Sequence, residues 1–175
     1  MRIMAWVGLL TVLFTGAASA QCPHDGWKVV DYDLEFSLAD APLSSTERDQ
    51  IYRVIDYKSV HDSFTDQQRE EERTAVLSSR VGFINLARDG SRQLLVRGPL
   101  LYCGASGNCG WWVFIRSRGQ LKLVLDAGGA FLVGDKSTGG FLDIATEWHL
   151  NSSEAPCTIH HWNGVKYIET DNAGK

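Results

Sequence analysis

The chain has 175 residues, with 17 Lys and Arg against 21 Asp and Glu, a formal net charge of −4 and four cysteines. This mild acidity, without a basic cluster, argues against nucleic acid as a partner and against adhesion to anionic membrane surfaces, because both depend on Lys and Arg. A chain of this length is long enough to form a single domain with its own hydrophobic core.

The N-terminus has the pattern of a secretory signal peptide. Arg2 provides a positive start, an apolar run follows over residues 3–14, and small side chains occupy residues 18–20, as in a cleavable leader. The alternative is a retained anchor, but the apolar run is shorter than the about 20 residues of a membrane-spanning helix. Cys22 does not directly follow a small residue, which disfavours lipidation. We predict cleavage after Ala20, export to the periplasm or medium, and no stable membrane insertion.

Next in the chain, the sequence predicts a strand and then two helices. Residues 27–36 are rich in strand formers and alternate in their second half, with acidic residues on one face, which indicates a half-buried strand. Capping boxes, typical of helix starts, stand at Ser44/Glu47 and Thr65/Gln68. The helical part should cover about residues 40–80. Residues 69–73 are charged almost all round, which indicates a solvated face or, alternatively, a docking surface.

From Val81 to about residue 170 the pattern changes to short apolar strands separated by turns. Tight-turn pairs stand at Asp89-Gly90, Arg118-Gly119 and Asn163-Gly164, each between strand-like segments. We predict six to eight strands in this part. The predicted fold class is α+β: two N-terminal helices packed on a mainly antiparallel, meander-like sheet, within one domain spanning residues 21–175.

All four cysteines lie in the predicted mature chain, at Cys22, Cys103, Cys109 and Cys157. An even number in an exported protein predicts two disulfides, for which three connectivities are possible. The small residues between Cys103 and Cys109 favour a local pair, which leaves Cys22–Cys157. Zinc is the alternative, but the Cys103–Cys109 spacing is wider than the usual knuckle, and no C-x-x-C redox motif is present.

Three segments of the C-terminal half carry a family resemblance: FINLARDGSRQLLVRG at residues 83–98, GGFLDI at 139–144 and WNGVKY at 162–167. The first has the order strand, Asp-Gly loop and apolar strand. Together these segments resemble small exported bacterial proteins of unknown function that carry a single FG-GAP or VCBS-like unit. The resemblance covers about residues 81–168 and implies an architecture rather than an activity.

In the calcium-binding form of that loop, alternate side-chain oxygens converge on the ion. The matching positions are Asn85, Ala87 and Asp89, with Gln93 where an acidic residue often stands. Ala87 cannot ligate a metal, and Asn85 and Gln93 bring no charge. The resemblance therefore implies at most a weak calcium site at Asn85 and Asp89, and we predict no cofactor.

No pattern for catalysis is prominent. Glu147 and His149 share one strand face and, with His160 or His161, form a conceivable zinc or copper site. The chain has no H-E-x-x-H, no phosphate loop and no G-x-S-x-G around Ser106, so we predict no catalytic residue. Asn151 begins a glycosylation sequon, which matters only in a eukaryotic host.

Tryptophans beside histidines give the predicted binding surface, since exposed aromatic groups concentrate binding energy. The predicted binding residues are Trp111, Trp112, Trp148, His149, His160, His161 and Trp162. As neighbours in a strand, Trp111 and Trp112 should point to opposite faces. The alternative is that these rings form a second core layer.

Three functions are consistent with this sequence. The first is an exported, non-catalytic binding or inhibitory module that recognises a protein or a glycan partner. The second is a metal-dependent exported hydrolase that uses Glu147 and His149. The third is a structural or assembly factor of the envelope, docking through Glu70–Glu72. Size, predicted disulfides and the lack of a catalytic motif favour the binding module.

Overall fold

The computed structural model describes residues 22, 25–30, 34–56, 65–150 and 155–170. The predicted signal peptide with its cleavage site after Ala20, Asp31 and Asp33 of the predicted acidic strand face, and the sequon at Asn151 lie outside the described residues. No helix in the described ranges is long and apolar enough to cross a membrane.

Nine strands and two α-helices make up the described structure. The strands are β1 (Lys28–Val29), β2 (Phe36–Ser37), β3 (Arg80–Ile84), β4 (Gln93–Arg97), β5 (Cys109–Ser117), β6 (Gln120–Thr138), β7 (Phe141–Glu147), β8 (Cys157–Trp162) and β9 (Tyr167–Thr170). The helices are α1 (Ser45–Asp56) and α2 (Asp66–Leu77), and a short 3₁₀ helix spans Leu100–Tyr102.

All strand pairs are antiparallel, and β2 to β9 neighbour one another in chain order, which makes the sheet a meander. The long strand β6 belongs to two halves of the sheet. Its residues 120–129 pair with β5, whereas the part from Ala130 onward pairs with β7 and, on its other edge, with β1. The sheet also curls back on itself, because the Arg88 N–H donates to Gly140 O (2.9 Å) and the Leu142 N–H donates to Leu86 O (2.7 Å).

This curled sheet is packed on both faces. The inner cluster includes Leu95, Trp111, Phe131 and Ile144, which come from the two halves of the sheet. The opposite face of the first half carries the helices, whose buried residues pack on strand residues; this cluster includes Ile51, Ile55, Val76, Val81, Leu94 and Phe114. A third, smaller cluster covers the outer face of the second half with Cys22, Ala130, Leu132 and Ala145. Strand alternation explains the arrangement, since successive side chains point to opposite faces.

The α+β prediction holds in its coarse form, and one part of it is corrected. The helices do not begin the fold, because β1 and β2 precede them in the chain and join the sheet through β6 and β3. Both capping boxes are present: the Glu47 N–H donates to Ser44 Oγ (3.2 Å) and the Gln68 N–H to Thr65 Oγ1 (3.3 Å). Each box satisfies N–H groups that a helix start otherwise leaves without an acceptor.

Two disulfides are present, Cys22–Cys157 and Cys103–Cys109. These are the two pairs that we predicted from the small residues of the 103–109 turn. They leave no free cysteine. Two disulfides are compatible with an oxidising, exported environment. The first holds the start of the described chain against β8, and the second closes the turn between β4 and β5.

Candidate functional site

The connection from β4 to β5 is a turn closed by a disulfide, which we call the stapled turn (residues 98–109). Pro99 opens its 3₁₀ helix, in which the Tyr102 N–H donates to Pro99 O (2.9 Å) and the Cys103 N–H to Leu100 O (3.1 Å). The Gly98 N–H donates to Gly110 O (2.8 Å), across the base of the turn. With the Cys103–Cys109 disulfide, these bonds determine the path of the backbone on both sides of the 3₁₀ helix.

Three consecutive large apolar side chains lie on the surface of this turn. Leu100 is 70% exposed, Leu101 78% and Tyr102 44%. Single exposed apolar residues are common on soluble proteins, whereas large contiguous apolar patches mark interaction sites. The disulfide and the backbone hydrogen bonds constrain the segment that carries these side chains.

A buried amide joins the stapled turn to the segment that follows β7. Asn108 Nδ2 donates to His149 O (2.8 Å), and the His149 N–H donates to Asn108 Oδ1 (2.9 Å). Asn108 Nδ2 also lies 2.8 Å from Ser106 Oγ, within the turn. The joined segment carries Trp148, 45% exposed, and Leu150, 58% exposed. We define the turn surface as the five exposed apolar residues on these two segments: Leu100, Leu101, Tyr102, Trp148 and Leu150.

The Trp148 ring packs against the sheet although the side chain is half exposed. Its ring lies over Gly128, where an added Cβ would approach the ring to 2.3 Å. The Trp148 N–H donates to Pro156 O (3.0 Å). Only glycine leaves room for the indole at residue 128, so the ring is supported from below by the sheet.

The first two predicted binding residues are buried. Trp111 is inaccessible, its indole N–H donates to Gly129 O (2.8 Å), and its ring centroid lies 5.3 Å from that of Phe131. Trp112 is buried on the helix-covered face, with its ring over Gly110. The predicted alternation is correct, but each face is covered, so neither indole can contact a partner.

The C-terminal pair of predicted residues is also buried. Trp162 stacks on Phe141 with 4.2 Å between ring centroids, and His160 is 3% exposed with Nε2 3.0 Å from Thr146 Oγ1. Burial lowers the pKa of His160, an effect that the nearby Glu169 charge opposes. The prediction of a surface of exposed tryptophans is therefore corrected. Three of its four tryptophans belong to the hydrophobic core, and only Trp148 belongs to the turn surface.

His161 occupies the opposite face of β8 and contacts a carboxylate. Its Nδ1 lies 2.8 Å from Oδ1 of the buried Asp143 and 3.3 Å from Thr138 Oγ1. The carboxylate lies beside the imidazole, as in histidines used for proton transfer, but Asp143 Oδ1 accepts no hydrogen bond among the described residues, so this is a close contact without hydrogen-bond geometry. However, a hydroxyl nucleophile needs the ring nitrogen that does not contact the acid, and Thr138 shares Nδ1 with Asp143. The three residues therefore do not form a nucleophilic triad.

The predicted zinc or copper site does not assemble. Within the ranges that the structure describes, no group of three or more His, Cys, Asp or Glu residues is placed to hold a metal ion. Glu147 ends β7, and His149 is held through its backbone by Asn108. The pairing of strands explains this, since His161 faces Asp143 rather than Glu147.

The predicted degenerate calcium loop is closed by a side-chain amide. The buried Gln93 accepts from the Leu86 N–H (2.7 Å) and the Ala87 N–H (3.2 Å) through Oε1, and its Nε2 donates to Ser91 O and Ser91 Oγ, both at 3.0 Å. Asp89 Oδ1 accepts from the Ser91 N–H (2.8 Å), and hydrogen bonding by Ser91 lowers the pKa of Asp89. The oxygens therefore bind the loop itself, and the residues do not fit a calcium ion.

Comparison of the chain with protein-family models, with curated proteins and with solved structures found no match. The resemblance to single-unit FG-GAP or VCBS-like proteins stays a prediction. The turn surface was missed at the level of sequence, although it had a signal: three apolar residues between Pro99 and Cys103, in a segment expected to be a disulfide-closed turn.

Proposed function

We propose that this chain is an exported, non-catalytic binding module that recognises a protein partner through the turn surface. The observation that carries the proposal is the pair of adjacent leucines, Leu100 and Leu101, exposed on a turn that a disulfide and a proline constrain. Covering the exposed part of these leucine side chains removes apolar area from water, which favours association.

The rigidity of the turn favours binding for a second reason. Association is opposed by the entropy lost when flexible side chains and loops become ordered. Here the Asn108–His149 hydrogen bonds and the disulfide already order the two segments. A partner would therefore bind to a surface that needs little rearrangement.

The chemistry of the turn surface also agrees with binding rather than with a reaction. Its five side chains are leucines, a tyrosine and a tryptophan, which supply apolar area and aromatic faces. Tyr and Trp are enriched among the residues that dominate interface energies. We expect Tyr102 and Trp148 to contact the partner together with the leucines, so that all five side chains contribute apolar contact area.

The experiment is site-specific photocrosslinking of the mature protein, followed by affinity measurements. A photoreactive amino acid replaces Leu101 in one variant and Val165 in a control, because Val165 is also more than half exposed but lies in the turn between β8 and β9. We expect one abundant protein adduct from residue 101 and none of the same mass from residue 165.

The purified partner then tests the surface directly. Leu100→Ser/Leu101→Ser should weaken binding at least about tenfold, while the matched control Val165→Ser/Ile168→Ser binds as the wild type does. Equal loss in both double variants would reject the turn surface. If free glycan releases the partner and the leucine double variant does not weaken binding, the ligand is a surface polymer rather than a protein.

A hydrolase is the second candidate, and the Asp143–His161 contact is the observation that favours it. The carboxylate lies on the Nδ1 side of the ring, which leaves Nε2 to face a substrate, and this arrangement does not use a metal at Glu147 and His149. An ester and glycoside hydrolysis screen with wild type and His161→Gln decides between the two. Turnover that His161→Gln abolishes would replace the binding proposal.

A further inference from the structure

A cavity of about 390 Å³ opens between β1, the end of β3 and the junction of β6 with β7. It lies apart from the turn surface and shares no residue with it. Pockets of about 300–1,000 Å³ accommodate small organic ligands. Its volume therefore suits a compact organic ligand.

The floor of this cavity is apolar and only partly covered. It is formed by side chains at the margin of the inner core: Val30, Ile84, Val133 and Leu142. Each packs against the inner cluster yet keeps part of its surface exposed. An apolar group placed here would cover this area and gain the corresponding hydrophobic stabilisation.

The rim carries two cations. Arg88 Nη2 donates to Asp135 O (3.0 Å), a bond that uses one of the five guanidinium N–H groups. Lys28 lines the same opening from β1. Within the described part of the chain, the ion pairs involve neither of these two cations.

One acid also stands on the rim, and its position is determined by a glycine. Gly26 has φ +81°, and a Cβ there would approach the Asp135 carboxylate to 2.9 Å. Asp135 therefore lies against the backbone of residue 26, at one side of the opening. Among the described residues that line the opening, Lys28 and Arg88 outnumber this one acid, and the Asn85 amide adds a neutral polar group.

We propose that this cavity binds a small amphipathic carboxylate, with its apolar chain on the floor and its carboxylate between Lys28 and Arg88. The pairing follows from the chemistry of the walls: an apolar floor selects a hydrocarbon group, and a guanidinium with an ammonium selects an anion. The loop that resembles a calcium site contributes two residues to this cavity, since Asn85 and Arg88 line its opening.

The test uses octanoate as the probe, with 1-octanol and octylamine as neutral and cationic matches of the same chain. Backbone amide signals of Val133, Gly134 and Asp135 are followed by NMR during titration of the mature protein. We expect saturable shifts with octanoate and a Kd of about 1 mM or tighter, given the size of the ligand. Octanol should bind about tenfold more weakly and octylamine more weakly still.

Variants locate the charge recognition. Arg88→Gln and Lys28→Gln should each weaken octanoate binding about tenfold and leave octanol binding unchanged. Arg92→Gln is the matched control, because Arg92 is on the same loop and also donates to a backbone carbonyl, Phe83 O at 3.2 Å, but does not line the cavity.

Three results would overturn the proposal: no saturable shift with octanoate, octanol binding as tight as octanoate, or equal losses in Arg88→Gln and Arg92→Gln. None of them bears on the turn surface, so the two proposals fail separately.

Discussion

The side-chain amide of Asn108 is hydrogen-bonded to both the N–H and the carbonyl of His149, at 2.9 and 2.8 Å. The two residues are 41 positions apart in the chain. Through this contact, a turn between two strands of one half of the sheet is joined to the end of β7 in the other half. The two segments that carry the exposed apolar groups are thereby held together.

Replacing Asn108 should therefore affect both stability and recognition. In Asn108→Ala the peptide group of His149 loses both partners, which should lower the free energy of unfolding by about 1–3 kcal/mol. Chemical denaturation with the disulfides intact measures this change. Hydrogen exchange of the His149 amide should accelerate more than that of amides in β5, because the loss is local.

The control for this variant is Asn85→Ala, which removes an exposed asparagine from another loop. It should leave the stability within about 0.5 kcal/mol of wild type, as surface substitutions usually do. If Asn108→Ala lowered the stability as little as Asn85→Ala, the Asn108–His149 hydrogen bonds would not hold the two segments together. The turn surface would then lose its main structural support.

Much of the architecture was predictable because it depends on local signals. The capping boxes at Ser44 and Thr65, the turn pairs at Gly90, Gly119 and Gly164, and the small residues between Cys103 and Cys109 all act over a few positions. The structure contains the corresponding helix starts, hairpins and disulfide. The position of β1 and β2 in the sheet was not predictable, because a two-residue strand is selected by its long-range pairing partner.

The site was predicted less well, for a physical reason. Alternation correctly separates Trp111 from Trp112, but it does not reveal whether a given sheet face is covered. Here helices cover one face and the other half of the curled sheet covers the second, so both indoles are buried. Which residues lie under a second layer depends on the packing of distant elements, for which one sequence offers no local pattern.

The Gln93 amide should contribute to stability as a cross-link of its loop. Gln93→Met keeps the side-chain length but leaves the Leu86 and Ala87 N–H groups without their acceptor, so we expect a loss of roughly 3 kcal/mol. Ser91→Ala removes only one acceptor of the amide and should lose less than about 1 kcal/mol. Urea denaturation compares the two variants.

Calcium should have no effect on this loop. Because Gln93 and Asp89 already bind backbone groups, excess calcium should leave the thermal unfolding midpoint of the wild-type protein where it is in chelator. A midpoint that rises with calcium concentration would restore the metal site that the family resemblance suggested.

The two disulfides should differ in what they stabilise. Cys22–Cys157 spans 135 residues and Cys103–Cys109 spans 6, so loop-closure entropy predicts losses of about 5 and about 2 kcal/mol when each pair is replaced by alanine. Only the shorter one should matter for recognition, since it constrains the turn surface. Denaturation curves and partner affinity, measured on both double variants, separate these effects; equal affinities would show that the turn needs no staple.

Acid should destabilise the protein partly through His160. Burial lowers the pKa of His160 below its ordinary value of 6.5, and the Glu169 charge only partly offsets this. As the pH falls below 6.5, the unfolded chain gains a proton that the folded protein resists, so stability is present above that pH and is lost towards the lower folded pKa. His160→Gln should flatten the dependence of unfolding free energy on pH in this window, as measured by urea denaturation at a series of pH values.

The Asp143–His161 contact should show a measurable coupling free energy. Asp143 is nearly buried while the His161 side chain is about a third exposed, at 7% and 32%, so the pair lies between surface pairs and buried pairs. A double-mutant cycle with Asp143→Asn and His161→Gln should give about 1 kcal/mol. The exposed pair Asp66–Arg69 on α2 is the matched comparison and should give no more than about 0.5 kcal/mol.

The coupling between Asp143 and His161 should persist in a Thr138→Val background, because the Thr138 hydroxyl is the more distant neighbour of His161 Nδ1, at 3.3 Å against 2.8 Å for Asp143. If the coupling vanished in that background, the histidine would be oriented by the threonine, and the carboxylate would no longer explain the hydrolase alternative.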